Sequence, residues 1–227
     1  MSRPDRREHG QIRALNCVLG QLSRTDGSAQ FSSGSTSLLC GVYGPIEARL
    51  FEEKIDRAHV DVRLRPDIGL PTTKDKWAES AVRKTFERNI LSHLHPRTLI
   101  QINLQVKEGD GGVDAAAINA TSLALVDAGI PLKTMVAAAC CAVRADGEIV
   151  ADPTEEEARD ALSIHTFAFS STSPDDNPVY VDSRGSFTME QYDKCYDLCA
   201  MTVQRILAFM RTAIEGKVTK ESQISAV

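Results

Sequence analysis

The chain has 227 residues, 42% of them hydrophobic and 25% charged, with a formal net charge of -5. That length and apolar content can bury one sizeable core, which excludes a disordered chain, and the acidic balance excludes a free-standing protein that coats nucleic acid by bulk attraction. No run approaches the ~20 apolar residues needed to cross a bilayer, and the polar opening MSRPDRREHG lacks the apolar segment of a secretion signal, so a soluble intracellular protein with no membrane partner is expected.

Residues 3 to 14, with Arg3, Arg6, Arg7 and Arg13, read as a polar lead-in before the first strand, whose basic part, Arg3 to Arg7, stays solvated or touches a neighbouring chain. Short apolar or alternating runs follow around Cys17, from Ala29 to Ser33 and from Ser37 to Gly44, separated by turn chemistry at Thr25-Asp-Gly and Ser33-Gly-Ser, which predicts an antiparallel meander. His59 to Arg65 alternates strictly, with Val60, Val62 and Leu64 on one face, and Pro66 ends it. From Thr73 to about Leu94 the apolar positions Ala78, Val82, Phe86, Ile90 and Leu94 recur every four residues, which predicts an amphipathic helix with Arg83, Lys84, Glu87 and Arg88 elsewhere around the turn.

Leu99 to Val106 alternates again, and after the glycine turn at 108–112 an Ala-rich run from Ala115 to Asp127 reads as a buried helix closed by Gly129-Ile-Pro. Met135 to Val143 and Glu148 to Val150 predict a hairpin around Arg144-Ala-Asp-Gly, Ser163 to Ser170 a further strand, and Pro174 to Pro178 a turn. Thr188 to about Ile214 carries apolar residues at helical spacing, and the last dozen residues read as a frayed tail. Six cysteines occur; Cys195 and Cys199 share one face of that last helix with no second pair or His beside them, so core packing is expected rather than a metal site. The result is one compact α/β (α+β) unit, with a lead-in at 1–15, a domain at 16–215 and a tail at 216–227.

Five separated segments carry a resemblance: Arg7-x-x-Gly-Gln-Ile-Arg13, Asp26-Gly-Ser-Ala, Gly34-Ser-Thr-Ser-Leu-Leu-Cys40, Asp110-Gly-Gly with the Ala-rich helix down to Pro131, and Val150-Ala-Asp-Pro-Thr154. In this order, over nearly the whole chain, they resemble the RNase PH family. Leu94-His-Pro-Arg-Thr, the Val126-Asp-Ala-Gly-Ile-Pro helix end, and Asp152-Pro-Thr-x-x-Glu followed by His165-Thr-Phe-Ala-Phe look most like one type of eukaryotic exosome ring subunit within it. The resemblance implies an RNase PH fold, related to the ribosomal protein S5 domain 2-like fold, β-sheets packed with helices. It implies a hetero-hexameric ring with other RNase PH-like exosome subunits, S1 and KH cap subunits, a separately encoded catalytic nuclease and single-stranded RNA as partners, and residence in nucleus, nucleolus and cytoplasm.

Family enzymes cleave RNA by phosphorolysis, which needs donors for a phosphate dianion at a helix N-terminus and carboxylates for a metal or the leaving oxygen. The resemblance places a Gly-Thr-Arg phosphate loop of active members on Gly112, Val113 and Asp114, so a hydroxyl donor becomes a methyl and a cation an anion. An anion about 4 Å from phosphate repels it by roughly 1 kcal/mol even in water. The two acidic positions of active members fall on Ala158 and Ile164 in an ungapped reading, while a slip of one or two residues would recruit Glu156, Glu157 or Asp160. Taken alone, Glu155-Glu-Glu reads as a solvated helix start, favourable at the positive end of the dipole. No catalytic residue, metal ligand or cofactor is expected. His95 reads as a turn residue, His165 as a satisfied strand histidine. Arg83, Lys84, Arg88 and Arg97 are candidates for RNA phosphate contacts, a solvated helix face being the equal alternative. Residual phosphorolytic 3'-to-5' exoribonuclease activity, a stand-alone homodimeric nuclease and an unrelated enzyme on the same fold are the competing readings.

Overall fold

The computed structural model describes residue 3, residues 5–172 and residues 177–225; most of the turn expected at 174–178 lies outside them. Strands β1 (Leu15–Leu19), β2 (Gly27–Ser33) and β3 (Thr36–Glu47) form the predicted meander, and β4 (His59–Arg65) and β5 (Thr98–Glu108) complete a five-stranded sheet in the order β1-β2-β3-β5-β4. Neighbours are antiparallel except β4 and β5, which run parallel because helix α1 (Thr73–Asn89) returns the chain between them. Strands β6 (Val136–Val143), β7 (Ile149–Ala151), β8 (Ser163–Ser170) and β9 (Tyr180–Gly185) make an antiparallel second sheet in the order β7-β6-β8-β9.

Helix α2 (Val113–Asp127) packs against both sheets, and every residue from Ala115 to Leu125 is buried. A helix enclosed all round must be apolar all round and slim, which is why its sequence is rich in alanine. Its C-terminal end lies so close to β2 that a Cβ on Gly27 would fall 2.3 Å from the Ala128 nitrogen and 2.6 Å from the Ala124 oxygen. Ser28 N donates to Asp127 Oδ2 at 2.9 Å beside that contact, which explains why Asp26-Gly-Ser and the Asp127-Ala-Gly helix end occur together. One buried cluster runs through both sheets, α1, α2 and the C-terminal helix α4 (Met189–Ser225), and includes Cys195 and Cys199 as core residues. All six cysteines are free thiols.

Four expectations are corrected. Helix α1 ends at Asn89 rather than near Leu94: Asn89 hydrogen-bonds the Thr134 backbone through both amide atoms, Ile90 turns extended and bridges Leu132, and Leu94 is exposed in a short 3-10 turn (Ser92–Leu94). Strand β9 was not anticipated. Helix α4 continues to Ser225 instead of ending near Ile214, and Lys217 in the added turns ion-pairs with the buried Asp127. The lead-in is not solvated at Arg3: its guanidinium is buried and donates to Glu157 at 2.8 and 2.9 Å and to the Ala151 and Asp152 carbonyls.

Candidate functional site

The glycine turn before α2 is held from beneath by Arg13. Its guanidinium donates to the Asp110 carbonyl at 2.6 Å, to the Gly111 carbonyl at 3.3 Å and to Thr36 Oγ1 at 3.2 Å, and it grips Asp152 through both carboxylate oxygens at 2.6 and 2.9 Å. Ser33 Oγ adds a bond to Asp152 at 2.9 Å, and Thr36 Oγ1 donates to the Gly111 carbonyl at 2.8 Å. Segments that are far apart in sequence, around Arg13, Ser33, Asp110 and Asp152, therefore meet at one point. Burial pushes the Asp152 carboxyl up, but the hydrogen bonds and charge of Arg13 outweigh it and hold it below the usual range. Gly111 and Gly112 take left-handed conformations at φ 74 and 65, and a Cβ on Gly111 would sit 2.5 Å from the Pro153 oxygen.

Above this clamp opens a cleft of about 350 Å³ bounded by the start of α1, the glycine turn, the short helix α3 (Glu155–Arg159), β8 and β9. Gly112, Val113, Asp114, Ala158 and Ile164 all line it. Glu157 is turned away into its pairing with Arg3 and Arg144, which corrects its assignment to a solvated cluster; Glu156 and Asp160 are exposed on α3 and its cap and do not line the cleft. Two residues that sequence reasoning missed complete the wall: Asp182 and Arg184, on the same face of β9.

Arg184 is the cation beside Asp114, and it is engaged by neighbours, at 2.7 Å from Asp182 and 3.3 Å from Asp114. The cleft lining holds two cations, Lys74 and Arg184, against four carboxylates, Asp75, Asp114, Glu155 and Asp182. Burial pushes the Asp114 carboxyl up; Arg184 opposes this, and Asp182 adds to it. Asp114 also stands in the first turn of α2, so the helix N-terminus already has its negative charge and offers less to a free phosphate. A divalent cation finds no better fit. Ala158 and Ile164 have apolar side chains, Asp182 is bound to Arg184, and among the described residues no three His, Cys, Asp or Glu side chains are placed to hold a metal ion together.

The basic candidates lie elsewhere. Arg83, Lys84 and Arg88 are exposed on α1, nine to fourteen residues beyond Lys74 and hence roughly 14 to 21 Å farther along the helix axis. Arg97, after the 3-10 turn, is engaged by Glu53. The structure brings none of the four to the cleft.

His165 is the buried, satisfied histidine that its strand position predicted: its ring nitrogens meet Ser163 Oγ at 3.0 Å and Ser183 Oγ at 2.9 Å. Burial pushes its pKa down, so the unfolded chain binds a proton at higher pH than the fold does. Its contribution to stability is complete above the ordinary value of 6.5 and falls as pH drops from there toward the folded value. Thermal melts between pH 7 and 5 should lose stability with a slope of at most about 1.4 kcal/mol per pH unit from this group, and His165→Gln should flatten that slope. An unchanged slope in the variant would assign the acid sensitivity to other groups.

With the fold and cleft in view, the likeness to known proteins has a physical content. The 3' exoribonuclease family, domain 1, matches residues 11–131 and its domain 2 matches residues 134–200. The chain belongs to this RNase PH family. Within it the chain resembles the ribosomal-RNA-processing protein 46 type, the subunit type to which the segments around Leu94, Val126 and Asp152 are similar. "Exosome complex component RRP46" of Saccharomyces cerevisiae is 33% identical, the match covering 91% of this chain and 97% of the relative. "Exosome complex exonuclease RRP46 homolog" of Oryza sativa is 32% identical over 94% of this chain and 96% of the relative. The crystal structure of rice Rrp46 superimposes with a TM-score of 0.86 over 92% of this chain and 99% of that one, at 32% identity. An archaeal exosome core, 16% identical with a TM-score of 0.78 over 92% of this chain and 91% of the other, shares the fold.

Proposed function

We propose that this chain is a non-catalytic RNase PH-like ring subunit of an RNA exosome, supporting 3'-to-5' processing and degradation of RNA by building the ring and threading the strand. Its partners in this reading are other RNase PH-like subunits in a hetero-hexamer, S1 and KH cap subunits, a separate catalytic nuclease and single-stranded RNA, in nucleus, nucleolus and cytoplasm. The observation that carries it is the Asp114–Arg184–Asp182 array, which sets a carboxylate at the N-terminus of α2 and ties up the nearby cation. The clamp of Arg13 on Asp152 beneath the glycine turn supports the ring-building part of the same reading, because it holds the fold together and does not line the cleft.

A surviving phosphorolytic enzyme, alone or as a homodimer, would have to use Arg184 as its phosphate cation at the expense of its two carboxylate partners. The test is end-labelled single-stranded RNA incubated with purified chain and magnesium, with and without inorganic phosphate. No nucleoside diphosphate is expected in either arm, and the chain should co-purify with RNase PH-like paralogues when they are co-expressed. Phosphate-dependent nucleoside diphosphate from the unaltered chain would establish the enzymatic reading instead.

A further inference from the structure

The helices cover only one side of the five-stranded sheet. Val60, Val62, Leu64, Ile100, Ile102 and Leu104 point into the core beneath α1 and α2, and the residues that alternate with them face out. On that outer side lies a groove of about 340 Å³. Register places Arg63 beside Asn103 and Arg65 beside Gln105 across the β4–β5 pair, then Asn103 beside Gly41 and Gln101 beside Tyr43 across β5–β3. Gly41 keeps the floor low: a Cβ there would stand 3.1 Å from both Leu22 and Thr25 side chains.

The charge of this groove is the reverse of the cleft's. Its lining contains two arginines and no carboxylate. Asp61, at the rim, accepts from Arg63 Nε at 3.0 Å, whereas Arg65 is exposed and has no ion-pair partner among the described residues. Gln101 Nε2 donates to Asn103 Oδ1 at 3.3 Å and Gln105 Nε2 to the Pro66 and Val106 carbonyls, each at 2.9 Å. That leaves the Gln101 and Gln105 side-chain oxygens as acceptors and the Asn103 amide as a donor, beside the half-buried ring of Tyr43. Cations for phosphates, an aromatic face for stacking and amides for base edges are the chemistry that recognises a single strand whose bases are unpaired.

We propose that this sheet face is a single-stranded RNA-binding site, with Arg63 and Arg65 on successive phosphates and Tyr43 stacking a base. The proposal rests on the reading of the chain as an RNA-threading subunit, and it places the RNA contact on the open sheet, apart from both the silent cleft and α1. Arg63 and Arg65 project from one face of β4 about 7 Å apart, a spacing that an extended strand can follow.

The test is the anisotropy of fluorescent oligouridylate titrated with the full chain over a range of salt. Arg63→Glu/Arg65→Glu should weaken binding tenfold or more and reduce the salt slope by about 1.4, the equivalent of two phosphate contacts. Tyr43→Leu should weaken it fivefold or more, with Tyr43→Phe close to wild type. Lys84→Glu/Arg88→Glu on α1 serves as the comparison. Failure of wild type to bind, or unchanged affinity in the β4 variant, overturns the proposal, and loss confined to the α1 variant moves the RNA path to that helix. Loss of co-purification with paralogues by the β4 variant, its RNA affinity intact, would make the face a protein interface instead. The nuclease assay judges the silent-subunit reading separately, so either idea can fail without the other.

Discussion

Arg13→Ala is expected to destabilise the chain by about 3 to 5 kcal/mol, the usual cost of removing one partner from a buried ion pair. Arg13 and Asp152 are both largely shielded from water, and the substitution leaves the Asp152 carboxylate with the residue-13 backbone nitrogen, Ser33 Oγ and the more distant Arg7 guanidinium at 3.9 Å. It also frees the Asp110 and Gly111 carbonyls that fix the glycine turn. In a chain of this size the loss corresponds to roughly 10 °C in Tm. The acid limb reports the same pair. The folded Asp152 carboxyl lies below its ordinary value of 3.8, so its contribution is full above that value and disappears as pH falls through the folded one. In Arg13→Ala the burial that the guanidinium had outweighed is opposed by the weaker backbone and Ser33 hydrogen bonds, and that part of the acid dependence should shrink. Calorimetry across pH, completed as a cycle with Asp152→Ala, measures the coupling. A loss under 1 kcal/mol with no coupling would mean that the meeting of the family segments at Arg13 is packing without electrostatic consequence.

How far this clamp was legible in the sequence depends on what each residue needed. Arg13 and Asp152 belonged to quoted segments, so their importance was visible while their contact was not. Strands β4 and β5, the β6–β7 hairpin and α2 were readable because period and turn chemistry agree there with the tertiary structure. The α1 terminus was misread because the four-residue spacing continues through Ile90 and Leu94, and what stops the helix is the Asn89 side chain bonding a loop 45 residues away. Arg3 looked solvated because arginine usually is; its burial depends on Glu157, 154 residues downstream. Strand β9 has only intermediate and exposed residues, so no apolar pattern announced it, and Asp182 and Arg184 were lost with it. Of the residues that line the cleft, 112–114 were legible from the glycine turn and the start of α2, whereas 158 and 164 came from counting without gaps after Asp152-Pro-Thr, a register that sequence spacing leaves open by one or two residues.

Rebuilding the cleft should restore its functions in a fixed order. Val113→Thr/Asp114→Arg replaces a methyl by a hydroxyl donor and turns the anion at the N-terminus of α2 into a cation, changing the balance among the cleft's charged groups from two cations against four carboxylates to three against three. At about 4 Å in water the reversal is worth roughly 2 kcal/mol, or about a thirtyfold gain in phosphate affinity, and more where the wall is dehydrated. Removing Asp114 also takes one of the two carboxylates off Arg184, leaving Asp182 at 2.7 Å. Phosphate binding, followed by calorimetric titration, is therefore expected in the double variant. Turnover is not, because Ala158 and Ile164 still bring no carboxylate to the leaving oxygen or to a metal. Adding Ala158→Asp/Ile164→Asp supplies both, and phosphate-dependent release of nucleoside diphosphates should first appear in the fourfold variant. Turnover by the double variant alone would show that Asp182 or Glu155 already serves as the catalytic carboxylate and that the phosphate loop was the sole defect. Absence of phosphate binding in the double variant, with its fold intact by circular dichroism, would locate the defect in Asp182 and Glu155, whose charges would then dominate the cleft regardless of the loop.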